Sequence, residues 1–173
     1  MKNIYFITGV CGVGKTSLIL HLKKLLGDNF VIHDFDEDGV PEGVDRKWRI
    51  TKTKEWIQKG VDNMKKGKVT IITGFSNPVE IEKMEHHEKV RMILLDATGA
   101  IVRKRLQQRY LDESQIEVLK NVTGDSVEAF ILDNQQFASK LRSICKIHKC
   151  EIIKTDNLNP EETAEQVASI IRS

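Results

Sequence analysis

The chain has 173 residues, 27 of them lysine or arginine and 25 aspartate or glutamate, for a net charge of +2. That length fits a single domain over 1–173, and the weak net charge with only 6% aromatic residues disfavours nucleic acid as a partner. No apolar run approaches the ~20 residues of a bilayer span, the apolar start Ile4–Ile7 is too short for a secretion signal, and Cys11, Cys145 and Cys150 make no disulfide framework, which together predict a cytoplasmic protein.

Ile4 to Ser17 reads IYFITGVCGVGKTS, an apolar run fit for a buried strand, a glycine-bearing loop, then Lys-Thr entering an amphipathic helix. Gly9, Gly14, Lys15 and Thr16 satisfy the Walker A spacing G-x-x-x-x-G-K-[ST], and Gly12 adds a third glycine. Glycines let backbone N–H groups turn inward around an anion, and the helix that follows adds its unpaired N–H groups and positive dipole end. The stretch Gly9, Val10, Cys11, Gly12, Val13, Gly14, Lys15, Thr16 and Ser17 is therefore the expected nucleotide-phosphate cradle. Lys15 would reach the β- and γ-phosphates and the Thr16 hydroxyl would hold Mg²⁺. The competing reading, a glycine-rich turn with a solvated lysine, lacks a reason for the strand before and the helix after. Cys11 reads as a small filler.

Leu18, Ile19, Leu22, Leu25 and Leu26 fall at helical spacing and Gly27 stops them. Phe30 to Ile32 read as a second strand delivering Asp34 and Asp36 to its loop end, and their alternation predicts both carboxylates on one side. Asp34 is the expected carboxylate of the Mg²⁺ shell, and Asp36 the group that positions or deprotonates an attacking hydroxyl. Glu37 and Asp38 read as solvated. Asp45 or a neighbour opens a long helix whose buried face is marked by Trp56, Ile57, Gly60, Val61 and Met64. At 100° per residue Arg49 and Thr53 join that side, while Trp48 points away.

Val69 to Thr73 predict a third strand, followed by Gly74, and Asn77-Pro78-Val79-Glu80 predicts a helix start. Val90 to Leu95 form a fourth strand ending in Asp96. A helix over Gly99–Arg109 places Arg105 and Arg109 on its apolar side with Ile101, Val102 and Leu106, where guanidinium groups need anionic partners such as phosphoryl oxygens or an internal salt bridge. Leu111 to Asn121 predict a short helix, and Asp125 to Lys146 a long one striped by Val127, Phe130, Ile131, Phe137, Ala138, Leu141, Ile144 and Cys145. Ile152 and Ile153 predict a fifth strand, and Asn159-Pro160-Glu161-Glu162 caps the last helix. Cys145, Cys150 and His148 read as chance neighbours rather than metal ligands. Strands alternating with helices five times predict parallel strands with helices on both faces and ligands beyond the strand ends, where Gly9, Asp34, Gly74, Asp96 and Asp156 project.

The phosphate loop, the Asp34-Phe35-Asp36 triplet, the LLDA strand followed by I-V-R-K-R-L-Q-Q-R, and the closing strand-loop-PEE helix resemble small P-loop kinases of the nucleoside-monophosphate, shikimate and gluconate kinase group. The resemblance implies an α/β, three-layer P-loop NTPase fold with a five-stranded parallel sheet and a short lid over about 109–124. It further implies ATP and Mg²⁺ as the nucleotide and metal, with Lys15 on the transferring phosphoryl group and Arg105 and Arg109 as clamps leading into the lid. Arg49 and Gly74 correspond to acceptor-anchoring positions beside Asp36, and the loop Thr155–Leu158 to the adenine environment. The chain departs from the pattern at Thr73-Gly74, which lacks a Walker B aspartate, and in a short lid with no zinc-binding cysteines.

The expected activity is transfer of a phosphoryl group from ATP to a hydroxyl of a small metabolite. The alternatives are a nucleoside or nucleotide kinase, and a nucleotide-binding switch or regulatory module without kinase activity. Asp96-Ala97-Thr98-Gly99 spells D-x-x-G, but no N-K-x-D motif accompanies it. Asp34 to Asp38 disfavour a bare anion nearby while Arg46, Lys47 and Arg49 favour one, which leans toward an acceptor with both hydroxyl and acidic groups. The sequence carries no signal for oligomeric state.

Overall fold

The computed structural model describes residues 3–173. Its strands are β1 (Ile4–Thr8), β2 (Phe30–Asp34), β3 (Val69–Thr73), β4 (Val90–Asp96) and β5 (Glu151–Lys154). Its helices are α1 (Leu18–Leu26), α2 (Arg46–Lys65), α3 (Pro78–Ile81), α4 (Gly99–Arg109), α5 (Glu113–Thr123), α6 (Val127–Ile147) and α7 (Pro160–Arg172), with a 3₁₀ turn at His87–Lys89. Every strand pairing is parallel, in the order β2-β3-β1-β4-β5, with Ile4 opposite Thr70 on one side and Val90 on the other.

The two-residue period of β1 splits the core between the sheet faces. Tyr5 and Ile7 join a cluster built with Leu18, Leu22 and Leu26 of α1, Val102 and Leu106 of α4, Leu141 of α6 and Val167 of α7. Ile4 and Phe6 join a second cluster with Trp56, Ile57 and Val61 of α2 and with Ile81 and Met84. Helices therefore cover both faces, giving the three-layer P-loop NTPase architecture.

Local signals end the elements where the sequence places them. Gly27 stops α1 with φ 75°, Asp45 caps α2 by accepting from Trp48 N at 2.8 Å, and Asn159 and Glu162 cap α7 reciprocally. The Asn77 side chain accepts from Val79 N and Pro78 opens α3 as the sequence predicts, and α3 lasts one turn. Two expectations need correction. α5 starts at Glu113 behind an Asp112 cap, two residues later than expected. Trp48 does not point away: its ring stands edge-on to Phe35 at 6.4 Å, because the β2–α2 loop folds against the first turn of α2 and gives that face a partner. Among the described residues, no helix is long and apolar enough to cross a membrane.

From β1 the chain moves toward β2 and β3, then returns past β1 to β4 and β5. The carboxyl ends of β1 and β3 therefore flank the crevice where such a sheet binds ligands.

Candidate active site

The turn after β1 has Gly9, Gly12 and Gly14 at φ 155°, 84° and 102°. At Gly9 the demand is also steric, since a Cβ there would lie 2.6 Å from the Leu95 carbonyl oxygen. The loop closes on its own lysine: Lys15 Nζ donates to Gly9 O at 2.9 Å and to Val10 O at 2.8 Å. Burial lowers the Lys15 pKa, and the Arg109 charge adds to that, against the opposing influence of Cys11, Asp34 and Asp36. α1 begins tightly, with Leu18 N bonded to Lys15 O and Ile19 N to Thr16 O.

Facing the loop, Asp34 Oδ2 lies 3.4 Å from Thr16 Oγ1, and Asp34 Oδ1 accepts from Asp36 N at 3.0 Å. The two aspartates share one side as expected, but for a different reason. β2 stops at Asp34, and a turn held by that side chain, not strand alternation, brings Asp36 round. Burial raises the Asp36 pKa, opposed chiefly by Arg49, whose Nη1 is 3.3 Å from Asp36 Oδ1. The Arg49 guanidinium is itself held near the rings of Phe35 and Trp48, 5.7 and 5.6 Å from their centroids. Gly74 lines the same cleft, and a Cβ there would meet Phe35 Cβ at 2.2 Å, so its glycine is required by this packing. Glu37 and Asp38 are not simply solvated: Glu37 meets His33 Nδ1 at 2.7 Å and Asp38 accepts from Lys52 Nζ at 2.6 Å.

These groups enclose a cleft of about 390 Å³ running from Gly9–Ser17 past Asp34, Asp36 and Arg49 to Arg109. A second cavity of about 250 Å³ lies on the other side of the loop, lined by Gly12, Arg105, Thr155, Leu158 and Thr163. Arg105 is half-buried and pairs with no carboxylate among the described residues. It donates to Thr155 O at 2.7 Å and, at 3.3–3.4 Å, to Thr155 Oγ1, Gly12 O and Val13 O, tying α4 to both rims of that cavity. Arg109, at the end of α4, reaches the 390 Å³ cleft and is exposed. Asp96 does not project there: it is buried and accepts from Arg142 Nε and Nη2 at 2.6 and 2.9 Å. Asp156 accepts from Thr98 N at 2.9 Å, securing the start of α4.

Three cleft residues escaped the sequence reading. Asn134 of α6 accepts from Cys11 N at 2.9 Å while its own amide donates to Phe130 O, and Phe75 and Phe137 form an aromatic wall with ring centroids 5.6 Å apart. Asn134 could have been found as a polar residue on the apolar stripe of α6, three and four positions from Ile131 and Phe130.

Set beside known proteins, the fold resembles shikimate kinases. One from Acinetobacter baumannii, in complex with shikimate, is 18% identical, with TM-score 0.56 over 99% of this chain and 93% of the other. One from Bacteroides thetaiotaomicron is 17% identical, with TM-score 0.61 over 98% of each chain. A tRNA isopentenylpyrophosphate transferase from Bacillus halodurans is 10% identical, with TM-score 0.63 over 99% of this chain and 96% of the other. At these identities the likeness is one of fold. No curated protein matches the sequence. A family model described as AAA domain matches residues 6–131, which span the phosphate loop, the aspartate turn and the arginines of α4, and the chain therefore belongs to that P-loop family.

Proposed function

We propose that the protein is a kinase that transfers the γ-phosphoryl group of ATP to a hydroxyl of a small metabolite. The observation that carries this reading is the single cleft in which a Walker A loop with Lys15 and Thr16 faces Asp34, Asp36 and Arg49. A nucleotide switch has no use for a carboxylate with a raised pKa beside an arginine in front of its phosphate loop, whereas an acceptor hydroxyl needs both a proton acceptor and an anchor.

On this reading the triphosphate lies along Gly9–Ser17, displacing Lys15 from the Gly9 and Val10 carbonyls and replacing two neutral partners by phosphate oxygens. The adenine occupies the cavity between Arg105 and Leu158. Thr16 and Asp34 are hard oxygen donors 3.4 Å apart, a set that suits Mg²⁺, which uses one or two protein oxygens and takes the rest from phosphate and water. Mg²⁺ would supply neutralisation of phosphate charge. The acceptor oxygen forms the new bond to phosphorus as the bond to the β-phosphate oxygen breaks, and the hydroxyl proton passes to Asp36. Arg49 orients Asp36 and anchors the acceptor, and Arg109 neutralises charge on the transferring group. Residues 109–124, with α5, form the lid.

ADP release measured with and without a panel of hydroxylated metabolites tests the proposal. Acceptor-dependent release, lost in Lys15→Ala, is expected. Slow turnover indifferent to every acceptor would point instead to a regulatory nucleotide-binding module.

A further inference from the structure

One face of α6 runs the length of the cleft. Phe130, Asn134 and Phe137 lie four and three residues apart on that helix and so share a face. Phe130 stands edge-on to Tyr110 at the root of the 109–124 segment, with ring centroids 6.0 Å apart, and Phe137 meets Phe75 on the cleft wall. Between these two aromatic contacts Asn134 Oδ1 accepts from Cys11 N at 2.9 Å. Among the described residues, no other side chain accepts from a backbone N–H of Gly9–Ser17. The amide is held in one orientation, because its Nδ2 donates to the Phe130 carbonyl at 2.8 Å and a carbonyl can only accept.

Cys11 belongs to the cleft side of the phosphate loop. With Asn134 it lines the 390 Å³ cleft, whereas the 250 Å³ cavity on the other side takes Gly12, Val13 and Gly14 but not Cys11. The bond from Asn134 therefore acts on the part of the loop that faces Asp36 and Arg49. It also commits one N–H of the loop to a neutral oxygen, so that this donor is withheld from an anion bound along the other N–H groups.

We propose that Asn134 is a positioning residue: by holding Cys11 N it fixes the cleft-side lip of the loop, and with it the direction in which the terminal phosphoryl group of ATP faces Asp36. The assignment rests on the kinase reading, which lays the triphosphate along the loop. Released from Asn134, the Cys11 N–H would be free to bind a phosphate oxygen before transfer. Such a bond stabilises bound ATP without raising kcat, and a lip displaced toward the phosphates misaligns the reacting atoms.

Two variants of similar size separate this role from packing. Asn134→Leu removes the acceptor, and kcat is expected to fall about tenfold or more while the KM for ATP stays level or falls. Asn134→Asp keeps an oxygen for Cys11 N but places a negative charge beside the phosphates, so the KM for ATP is expected to rise about tenfold while kcat at saturation stays within about threefold of wild type. The readouts are ADP release from Mg²⁺ and ATP with water as the acceptor, which needs no knowledge of the metabolite, and the Tm shift that ATP induces. Where hydrolysis is too slow to follow, the shifts alone decide, kept or larger in Asn134→Leu and smaller in Asn134→Asp. Should Asn134→Leu fail to fold, a loss of kcat or an unchanged KM in Asn134→Asp would overturn the assignment. Wild-type constants in Asn134→Leu, a raised KM for ATP in it, or the same losses in both variants would also overturn it. Each of these outcomes leaves the kinase reading in place, and that reading falls separately if no hydroxylated metabolite stimulates the wild type. A wild type that does not bind ATP would overturn both.

Discussion

Thr16 Oγ1 and Asp34 Oδ2, 18 residues apart in sequence, lie 3.4 Å apart across the mouth of the phosphate loop. Asp34 ends β2, and Thr16 stands just before α1, the helix that carries the chain from β1 across to β2, so the connection itself brings the two groups together at one end of the sheet. If Mg²⁺ is held there, replacing the Asp34 carboxylate by a neutral amide weakens attraction for the hydrated ion. Asp34→Asn should raise the Mg²⁺ concentration for half-maximal turnover by about ten- to a hundredfold. A Mg²⁺ titration of ADP release that superimposes on wild type would remove Asp34 from the metal shell.

Lys15→Ala removes the charged donor of the loop. Turnover should fall by roughly a hundredfold or more, as when one preorganised donor to developing charge is deleted. The Gly9 and Val10 carbonyls that lose Nζ are beside the open cleft and pass to water, so the far-UV circular dichroism and Tm should change little. Near-normal turnover in a folded variant would sink the proposed mechanism.

The two arginines of α4 should separate. Arg105 donates to three backbone carbonyls and the Thr155 hydroxyl, so Arg105→Ala should cost about 1–3 kcal/mol of stability and loosen ATP binding. Arg109 is exposed at the cleft, and Arg109→Ala should lower kcat while leaving Tm close to wild type. Thermal melts and steady-state kinetics on both variants decide it. A reversed pattern would exchange their roles.

Much of this was legible in the chain, for physical reasons that differ between elements. The phosphate loop and the five strands announce themselves because backbone demands fall on residue types few other sites require: glycine at positive φ after β1, β-branched runs between helices, Asn-Pro before α7. The acceptor side is built from contacts of long sequence separation, which leave little local trace. Nothing adjacent to Phe75 signals Phe137, and nothing around Asp96 signals Arg142, so a carboxylate that seemed to project into the crevice is held in a buried ion pair. Trp48 was misplaced by helical geometry alone, because the loop packing against it cannot be read from the period of α2.

On the proposed mechanism, the pH dependence of the acceptor step follows from Asp36. Burial raises its pKa above the ordinary 3.8, and Arg49 holds it down. As a base it works ionised, so kcat/KM for the acceptor should rise with pH through this group, with the acid limb above that of an ordinary aspartate. Arg49→Ala removes the opposing charge, so the limb should move to still higher pH as well as the acceptor KM rising. The stability contribution has the opposite sense. Because the folded carboxyl binds its proton more tightly than the unfolded one, ionisation costs stability as pH rises from about 4 through the raised pKa. Asp36→Asn should therefore narrow or reverse the Tm gap to wild type as pH rises over that range, and it should lower kcat at every pH. Profiles of kcat/KM and Tm against pH for the three proteins test both signs, and an acid limb unmoved in Arg49→Ala would count against Asp36 as the base.

The hydroxyl of Thr8 ties the last residue of β1 to the Ser76 backbone at both N–H and carbonyl. Thr8 leads directly into the phosphate loop, and Ser76 lies on the cavity between the first turns of α2 and the start of α3, so one hydroxyl joins the base of the loop to the segment after β3. On the proposed kinase reading, this tie would fix at folding how far the phosphate loop stands from the segment that follows β3. The effective molarity of two bound substrates would in that case be largely a property of the sheet itself, and the role proposed for 109–124 would reduce to excluding water.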